Sequence, residues 1–272
     1  MDARSLAGRA LRRLSIARDR ILPPSSGVSI LIYHRVGGRS DSSVDIDVGA
    51  FVRQLEHLRE NCRVVTLDEA VRGLSREDSS VDGSVVITFD DGTADFADTV
   101  VPLLVEHHLP ATLYVATSFV DEQQAFPWGA PPLSWSALGE SVSTGLVTIG
   151  SHTHTHRLLD RVDAAVAVAD IDRSMDLIEA RLGRPPKHFA YPKALLGSAP
   201  VQRVVVDRFQ SAAIARSHVN RVGRTDLHRL CRTPVQRDDT LDVFRMKAAG
   251  GMRLEGSVRA ATAGLRNRHA SQ

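Results

Sequence analysis

Residues 84–117 read SVVITFDDGTADFADTVVPLLVEHHLPATLYVAT. The opening run, SVVITF, is short, apolar and rich in β-branched residues, the pattern of a buried strand. Asp90-Asp91-Gly92 then supplies a turn. Residues 94–108, ADFADTVVPLLVEHH, read as a helix, and ATLYVAT (111–117) as a second strand. Two strands joined through a helix lie parallel, because the crossover returns the chain to the same end of the sheet.

The same alternation extends in both directions. VSILIYHRV (28–36) reads as a buried strand behind the breaker Pro23-Pro24-Ser25-Ser26-Gly27. A helix follows at 48–61, where Phe51, Leu55 and Leu58 share a face. CRVVTL (62–67) reads as a strand and DEAVRGL (68–74) as a short helix with Asp68 near its cap. Downstream, a loop at 121–133 leads to a helix at 134–140 with Ser134 as its cap. Strands are expected at 147–153, 188–192 and 211–215. Helices are expected at 163–183, closed by Gly183, and at 199–209 and 240–251. This is an α/β chain with a parallel sheet, and a barrel and an open sheet both fit. In either, chemistry gathers at the carboxyl ends of the strands.

The chain has 272 residues, 43% hydrophobic and 24% charged, enough for a core without staples. Its formal net charge of +2 gives no argument for a nucleic-acid partner, and none is expected. Cys62 and Cys231 have no zinc-ribbon spacing and read as buried thiols. No stretch has the apolar length of a transmembrane helix, and the N-terminus lacks a signal-peptide core, which sets the expected location as cytoplasmic. Residues 1–24 read as a basic amphipathic helix carrying Arg4, Arg9, Arg12, Arg13, Arg18 and Arg20. Either it packs on the domain, or residues 1–22 rest on an anionic membrane surface.

The expected strands deliver polar residues where they end. SVVITF ends in Asp90-Asp91, LIYH in His34, HFAYP in Pro192-Lys193, and VTIG in GSHTHTHRLL (150–159) with His152, His154 and His156. On a helix His152 and His156 would share a face; on a strand all three histidines would. Imidazoles with a carboxylate make a metal shell, and adjacent aspartates can divide the work, one as ligand and one as base. An ion so held keeps a position open in which the pKa of water falls from about 15.7 toward roughly 7. This chemistry suits amide or ester hydrolysis.

TFDDG (88–92), SHTHTH (151–156), FAYP (189–192) and YH (33–34) resemble the motifs of the polysaccharide deacetylases, the NodB-homology domains of carbohydrate esterase family four. The specific part is the pairing of FDDG with H-T-x-x-H about sixty residues later. The resemblance runs from about residue 28 to 250. It implies a distorted (β/α) barrel of about seven strands that hydrolyses N-acetyl, sometimes O-acetyl, groups on sugar polymers. It divides the chain into the helix at 1–24, a catalytic domain at 25–252 and a basic tail at 253–272. By the resemblance Asp90 is the general base, and Asp91, His152 and His156 are the metal ligands, leaving His154 a bystander. The cofactor is one divalent ion, zinc by default, with cobalt, nickel, manganese or iron also suited to the shell.

The chain departs from the family's pattern in two places. Many members carry a general-acid histidine late in the chain in a leucine-x-histidine motif, but here Leu230 is followed two residues on by Arg232. A subgroup supplies that histidine from an N-terminal YH strand, which makes His34 the expected acid and His228 its backup. Many members also have an arginine that buttresses the base, where this chain has Ala190. The usual tyrosine-glycine after FAYP is Lys193-Ala194 here, so the backbone N–H of Lys193 is the expected oxyanion donor. Tyr191 and Trp135 read as packing residues, and Trp128 as either packing or a sugar contact. The reading is a metal-dependent de-N-acetylase acting on an N-acetylated glycan, an intracellular precursor by its expected location. Its alternatives are a glycan-binding pseudoenzyme and a hydrolase of a non-sugar C–N bond.

Overall fold

In the computed structural model, which describes residues 3–258, SVVITF and ATLYV pair as parallel strands, Thr88 against Thr112 and Phe89 against Leu113. Helix α1 covers Ala3–Ile21 and strand β1 Ser29–Tyr33. Two short strands, β2 (Arg35–Val36) and β3 (Asp45–Ile46), precede α2 (Val48–Asn61), β4 (Arg63–Val64) and α3 (Leu67–Ser75). Then come β5 (Ser84–Phe89), α4 (Val101–His107), β6 (Ala111–Val115), α5 (Thr117–Glu122) and α6 (Trp135–Ser143). The chain continues through β7 (Val147–Ser151), α7 (Ala164–Leu182), β8 (His188–Ala190) and α8 (Ala199–Arg208). It closes with β9 (Ser211–Ala215), β10 (Leu230–Pro234) and α9 (Leu241–Ala248).

Strand order β1-β10-β9-β8-β7-β6-β5, with β1 also paired to β5, closes seven parallel strands into a barrel. The expected open-sheet alternative therefore drops out. Side chains alternate across each strand. Ile30, Val86, Tyr114, Ala190, Ala213 and Leu230 fill the interior with α3's Leu67, Ala70, Val71 and Leu74, so α3 plugs the N-terminal end. The opposite residues, such as Leu31, Tyr33, Ile87 and Phe89, meet the outer helices. Gly150 is needed where Tyr114 crosses the interior: a Cβ there would lie 2.5 Å from Tyr114 Cδ1.

Several local expectations shift. The strand expected at 62–67 is only Arg63–Val64, because Thr66 leaves it to cap α3 in a reciprocal box with Glu69; Asp68, expected near the cap, stands in the first turn. The helix expected at 94–108 opens as a wide π turn, Phe96–Val100, ahead of α4. Pro102 has no N–H for the preceding turn, and the chain widens before it. The first residues of the expected loop at 121–133 finish α5. Strand β10 lay unrecognised in HRLCRTPV, where two arginines break the apolar run. Residues 253–258 are helical, with Glu255 N–H donating to Ser15 Oγ at 2.8 Å; the rest of the expected basic tail lies outside the described residues. No helix among the described residues is long and apolar enough to cross a membrane.

Candidate active site

Parallel register brings the site together. Tyr33 pairs with Phe89, so His34 and Asp90 occupy the next rung at the carboxyl ends of β1 and β5, and Asp90 N–H donates to Tyr33 O at 3.0 Å. Asp90 is in phase with the interior residues Val86 and Thr88. A regular strand would send Asp91 to the other face. Instead Asp91 has φ 77°, a left-handed conformation that turns its carboxylate back. Asp90 Oδ2 and Asp91 Oδ1 each lie 3.7 Å from His152 Nε2.

The histidine loop leaves β7 at Ser151, and Thr153 and His156 both take positive φ. Asp170 of α7 holds this loop. Its carboxylate accepts the N–H groups of His154 and Thr155 at 3.2 Å and the Thr155 hydroxyl at 2.7 Å. His156 Nε2 reaches Asp91 Oδ1 at 3.4 Å. His154 turns away, its Nδ1 3.0 Å from Thr117 Oγ1. The expected ligands Asp91, His152 and His156 thus converge, their ligand atoms within 4.8 Å of one another.

These residues fit a divalent ion. Ligands about 2.1 Å from a tetrahedral ion stand about 3.4 Å apart; Asp91 Oδ1 lies 3.7 and 3.4 Å from the two histidines, and all three ligand atoms lie within 4.8 Å of one another. His152 Nδ1 is 2.7 Å from Ala190 O, so Nδ1 donates there and Nε2 is the nitrogen that faces the cluster. Burial is the main cause that pushes the His156 imidazole down to about 3, so it is neutral at pH 7. Burial pushes the Asp91 carboxyl up to about 6, with the Asp90 charge adding to it against the pull of His152. Two imidazole nitrogens and a carboxylate whose burial disfavours its charge are a donor set suited to a cation.

Asp90 has a partner that the sequence reading missed. Arg232, in the middle of β10 and 1% exposed, crosses the interior to hold both carboxylate oxygens, Nη1 to Oδ1 at 2.5 Å and Nη2 to Oδ2 at 2.8 Å. Its guanidinium lies over the Tyr114 ring, 5.0 Å from the centroid. Burial pushes Asp90 up, but Arg232 and then His152 outweigh it and leave the carboxyl at about 2. The arginine sought near Ala190 comes from a different strand. One signal was available: a lone arginine within the apolar run Leu230–Pro234 has to find an anion if that run is a buried strand. Asp170 carried no comparable signal among the acids of its helix.

The other expected residues separate by end of the barrel. His34 is half-buried; burial, with the charges of Arg232 and Lys193, lowers its pKa against the pull of Asp90. Its Nδ1 has no hydrogen-bond partner among the described residues. Lys193, at φ 53°, follows β8 on the site side, and the turn there uses Ala194 N–H and Leu195 N–H but not its own. Its ammonium lies 5.7 Å from the centroid of Trp128, which stacks on Phe126 at the loop's tip. Tyr191 is a core residue, packed edge-on to Phe189. Trp135 donates to Asp121 at 2.9 Å and packs against the core. His228, the backup acid, sits before β10, at the N-terminal end of the barrel, with Nε2 2.8 Å from Phe209 O. Position alone removes it, since the acid must work beside Asp90.

Comparison with known proteins agrees with this geometry. Residues 78–205 match the polysaccharide deacetylase family. That match spans just under half of the chain, and the closed barrel matches the NodB-type (β/α) barrels of solved deacetylases. It is 25% identical over 195 residues to the poly-beta-1,6-N-acetyl-D-glucosamine N-deacetylase of Staphylococcus epidermidis, covering 63% of this chain and 66% of that relative's length. Among solved structures it resembles IcaB from Ammonifex degensii, with 25% identity, a TM-score of 0.70 and coverage of 84% of this chain and 97% of that one. The Streptococcus pyogenes deacetylase PplD, solved with acetate, shares the fold with a TM-score of 0.73 at 19% identity, covering 83% of this chain and 99% of that one.

Proposed function

We propose that the chain is a metal-dependent de-N-acetylase acting on a polymer or oligomer containing N-acetylglucosamine. One observation carries the reading: Asp91, His152 and His156 converge beside a second carboxylate, Asp90, that is held by a buried arginine. Zinc is the default ion for two imidazoles and a carboxylate. When bound, the ion lowers the pKa of water and polarises the acyl oxygen. Arg232 keeps Asp90 ionised and fixes its oxygens, so the carboxylate is ready to take the proton of the attacking water. The Lys193 N–H, not used by its own turn, donates to the oxygen on which charge develops.

His34 gives the proton to the departing amine. Its lowered pKa makes it neutral at pH 7, so it must first gain a proton, and Asp90, on the same rung of the neighbouring strand, can pass on the one it takes from water. This assignment places the chain with members that use an N-terminal histidine. The sugar itself would sit against Trp128, whose 40% exposure leaves a ring edge and face for stacking. The glucosamine polymer named for the staphylococcal relative makes β-1,6-linked oligomers the first choice of substrate. The reading includes a cytoplasmic site of action, which finding the native protein outside the cell overturns.

The test is acetate release by zinc-reconstituted protein from β-1,6-linked N-acetylglucosamine oligomers and from peptidoglycan fragments. Release that vanishes with chelator and in Asp90→Asn supports the reading. Full metal occupancy with no release from either substrate counts against it and favours a binding role.

A further inference from the structure

Helix α1 is turned the opposite way from a helix packed by its apolar face. Arg12, Ser15 and Asp19 face the barrel. Ser15 and Asp19 are buried: Ser15 accepts Glu255 N–H, and Asp19 accepts Met252 N–H. Arg12 reaches Asp238, Asp239 and Glu255 at 3.2 to 3.3 Å. Leu11 and Ile16 are half-buried beside them, whereas Leu14 and Ile21 face outward. Leu14, Ile21 and the following Leu22 are 62%, 78% and 61% exposed, the three most exposed large apolar side chains among the described residues.

Helical spacing arranges these residues in order. Ala10, Leu14, Ala17 and Ile21 form one outward stripe. Arg13 and Arg20 run along one side of it, exposed and without an ion pair among the described residues. Arg18 runs along the other side, with Asp19 at 3.7 Å. Arg216 and Arg253 add charge on the Arg18 side: burial lowers the His218 pKa, and Arg216, Arg253 and Arg18 lower it further. An apolar stripe with cations on both flanks matches a bilayer, with acyl chains beneath the stripe and phosphates beside the arginines. A second copy docked symmetrically on this stripe would bring Arg13, Arg18 and Arg20 of both chains together, which is unfavourable.

We propose that the outward face of α1, centred on Leu14 and Ile21 and flanked by Arg13, Arg18 and Arg20, is a docking surface for an anionic phospholipid bilayer. It holds the barrel at the membrane through a helix whose polar face is keyed to the protein. Neither the face nor its anchors include a residue of the candidate active site, so the surface is independent of the reaction.

Co-sedimentation of the full chain with vesicles tests this. One vesicle set is phosphatidylcholine alone and the other contains about one-third phosphatidylglycerol. Expected is binding to the anionic vesicles about tenfold or more tighter than to the neutral ones, weakening as salt rises. Leu14→Glu with Ile21→Glu lowers that binding about tenfold or more and leaves acetate release from a soluble oligomer unchanged. Arg13→Gln with Arg20→Gln, on exposed positions, gives a second reading if the first pair unfolds. Equal binding to both vesicle types, or binding unaffected by either pair of substitutions, overturns the proposal. So does a dimer in gel filtration that Ile21→Glu dissociates, because a second copy then covers the stripe.

Discussion

At the N-terminal end of the barrel His188 lies between Ser211 and Asp68; at the C-terminal end His152 lies between Asp90 and Asp91. The residue types are nearly the same. At the first end the cluster is closed. His188 is fully buried, its Nδ1 2.9 Å from the Ser211 hydroxyl and its Nε2 3.5 Å from Asp68 Oδ1. The hydrogen bond to His188 is the main cause holding the Asp68 carboxyl down at about 2. At the second end the cluster is open. His152 Nε2 faces two carboxylates and the lone pair of His156, and burial lifts Asp91 to about 6. Backbone strain divides the same way: of nine non-glycine residues at positive φ among those described, Asp91, Thr153, His156, Lys193 and Ala194 belong to the site or its loops. The first cluster pairs one acid with one histidine on regular backbone; the second holds two carboxylates and two imidazoles together on strained backbone.

The largest effects should come from the open end. Asp90→Asn is expected to lower kcat by a factor of about 10² to 10⁴ with metal content unchanged, measured by acetate release and metal analysis. His156→Ala should remove both activity and bound metal. Equal metal content in His156→Ala would break the comparison, because the open cluster would then not be the ligand set. His34→Gln should lower kcat by about 10² or more, whereas His228→Gln, at the closed end, should change it less than about twofold.

Stability comes next. Arg232→Met leaves a buried carboxylate unpaired and should cost about 3–5 kcal/mol in urea unfolding. Adding Asp90→Leu should restore most of that loss, since it is the orphaned charge that destabilises. A double variant as unstable as the single one would show that the guanidinium acts through packing on Tyr114 instead.

The smallest effect tests the closed end. Asp68 has a folded pKa of about 2 against an ordinary 3.8, so its pairing stabilises the fold above about pH 4 and is lost as pH falls toward 2. The group is partly exposed, so solvent screening keeps this contribution below about 1 kcal/mol. Asp68→Asn should lower the melting temperature slightly at pH 6 and leave it unchanged near pH 2. A deficit equal at both pH values would mean that the change reflects packing rather than charge.

Much of the site was legible because its motifs are local. Asp90-Asp91-Gly92 and the histidine run each end a strand whose apolar residues are contiguous in sequence, and strand ends are where parallel α/β folds place chemistry. The family resemblance separated His152 and His156 from His154, which the spacing alone had left open. Arg232 was not legible as a site residue: it lies 142 positions from Asp90, in a strand disguised by its own charge. The orientation of α1 was hidden for a related reason. Its alternation of arginine with apolar residues marked an amphipathic helix, but not which face the barrel would take.

What the sequence determined alone was whatever a few neighbouring residues can dictate: apolar runs that make strands, a cap such as Ser134 that starts a helix, and turns that place aspartate and histidine at strand ends. What only the tertiary structure decided was pairing across the closed barrel. Closure of β1 on both β5 and β10 brings His34, Asp90 and Arg232 to one end. The backbone turn at Asp91 then points both carboxylates at one imidazole. Local stereochemistry is encoded within a turn or two of chain, whereas a buried charge finds its partner only once the strands that carry both have met.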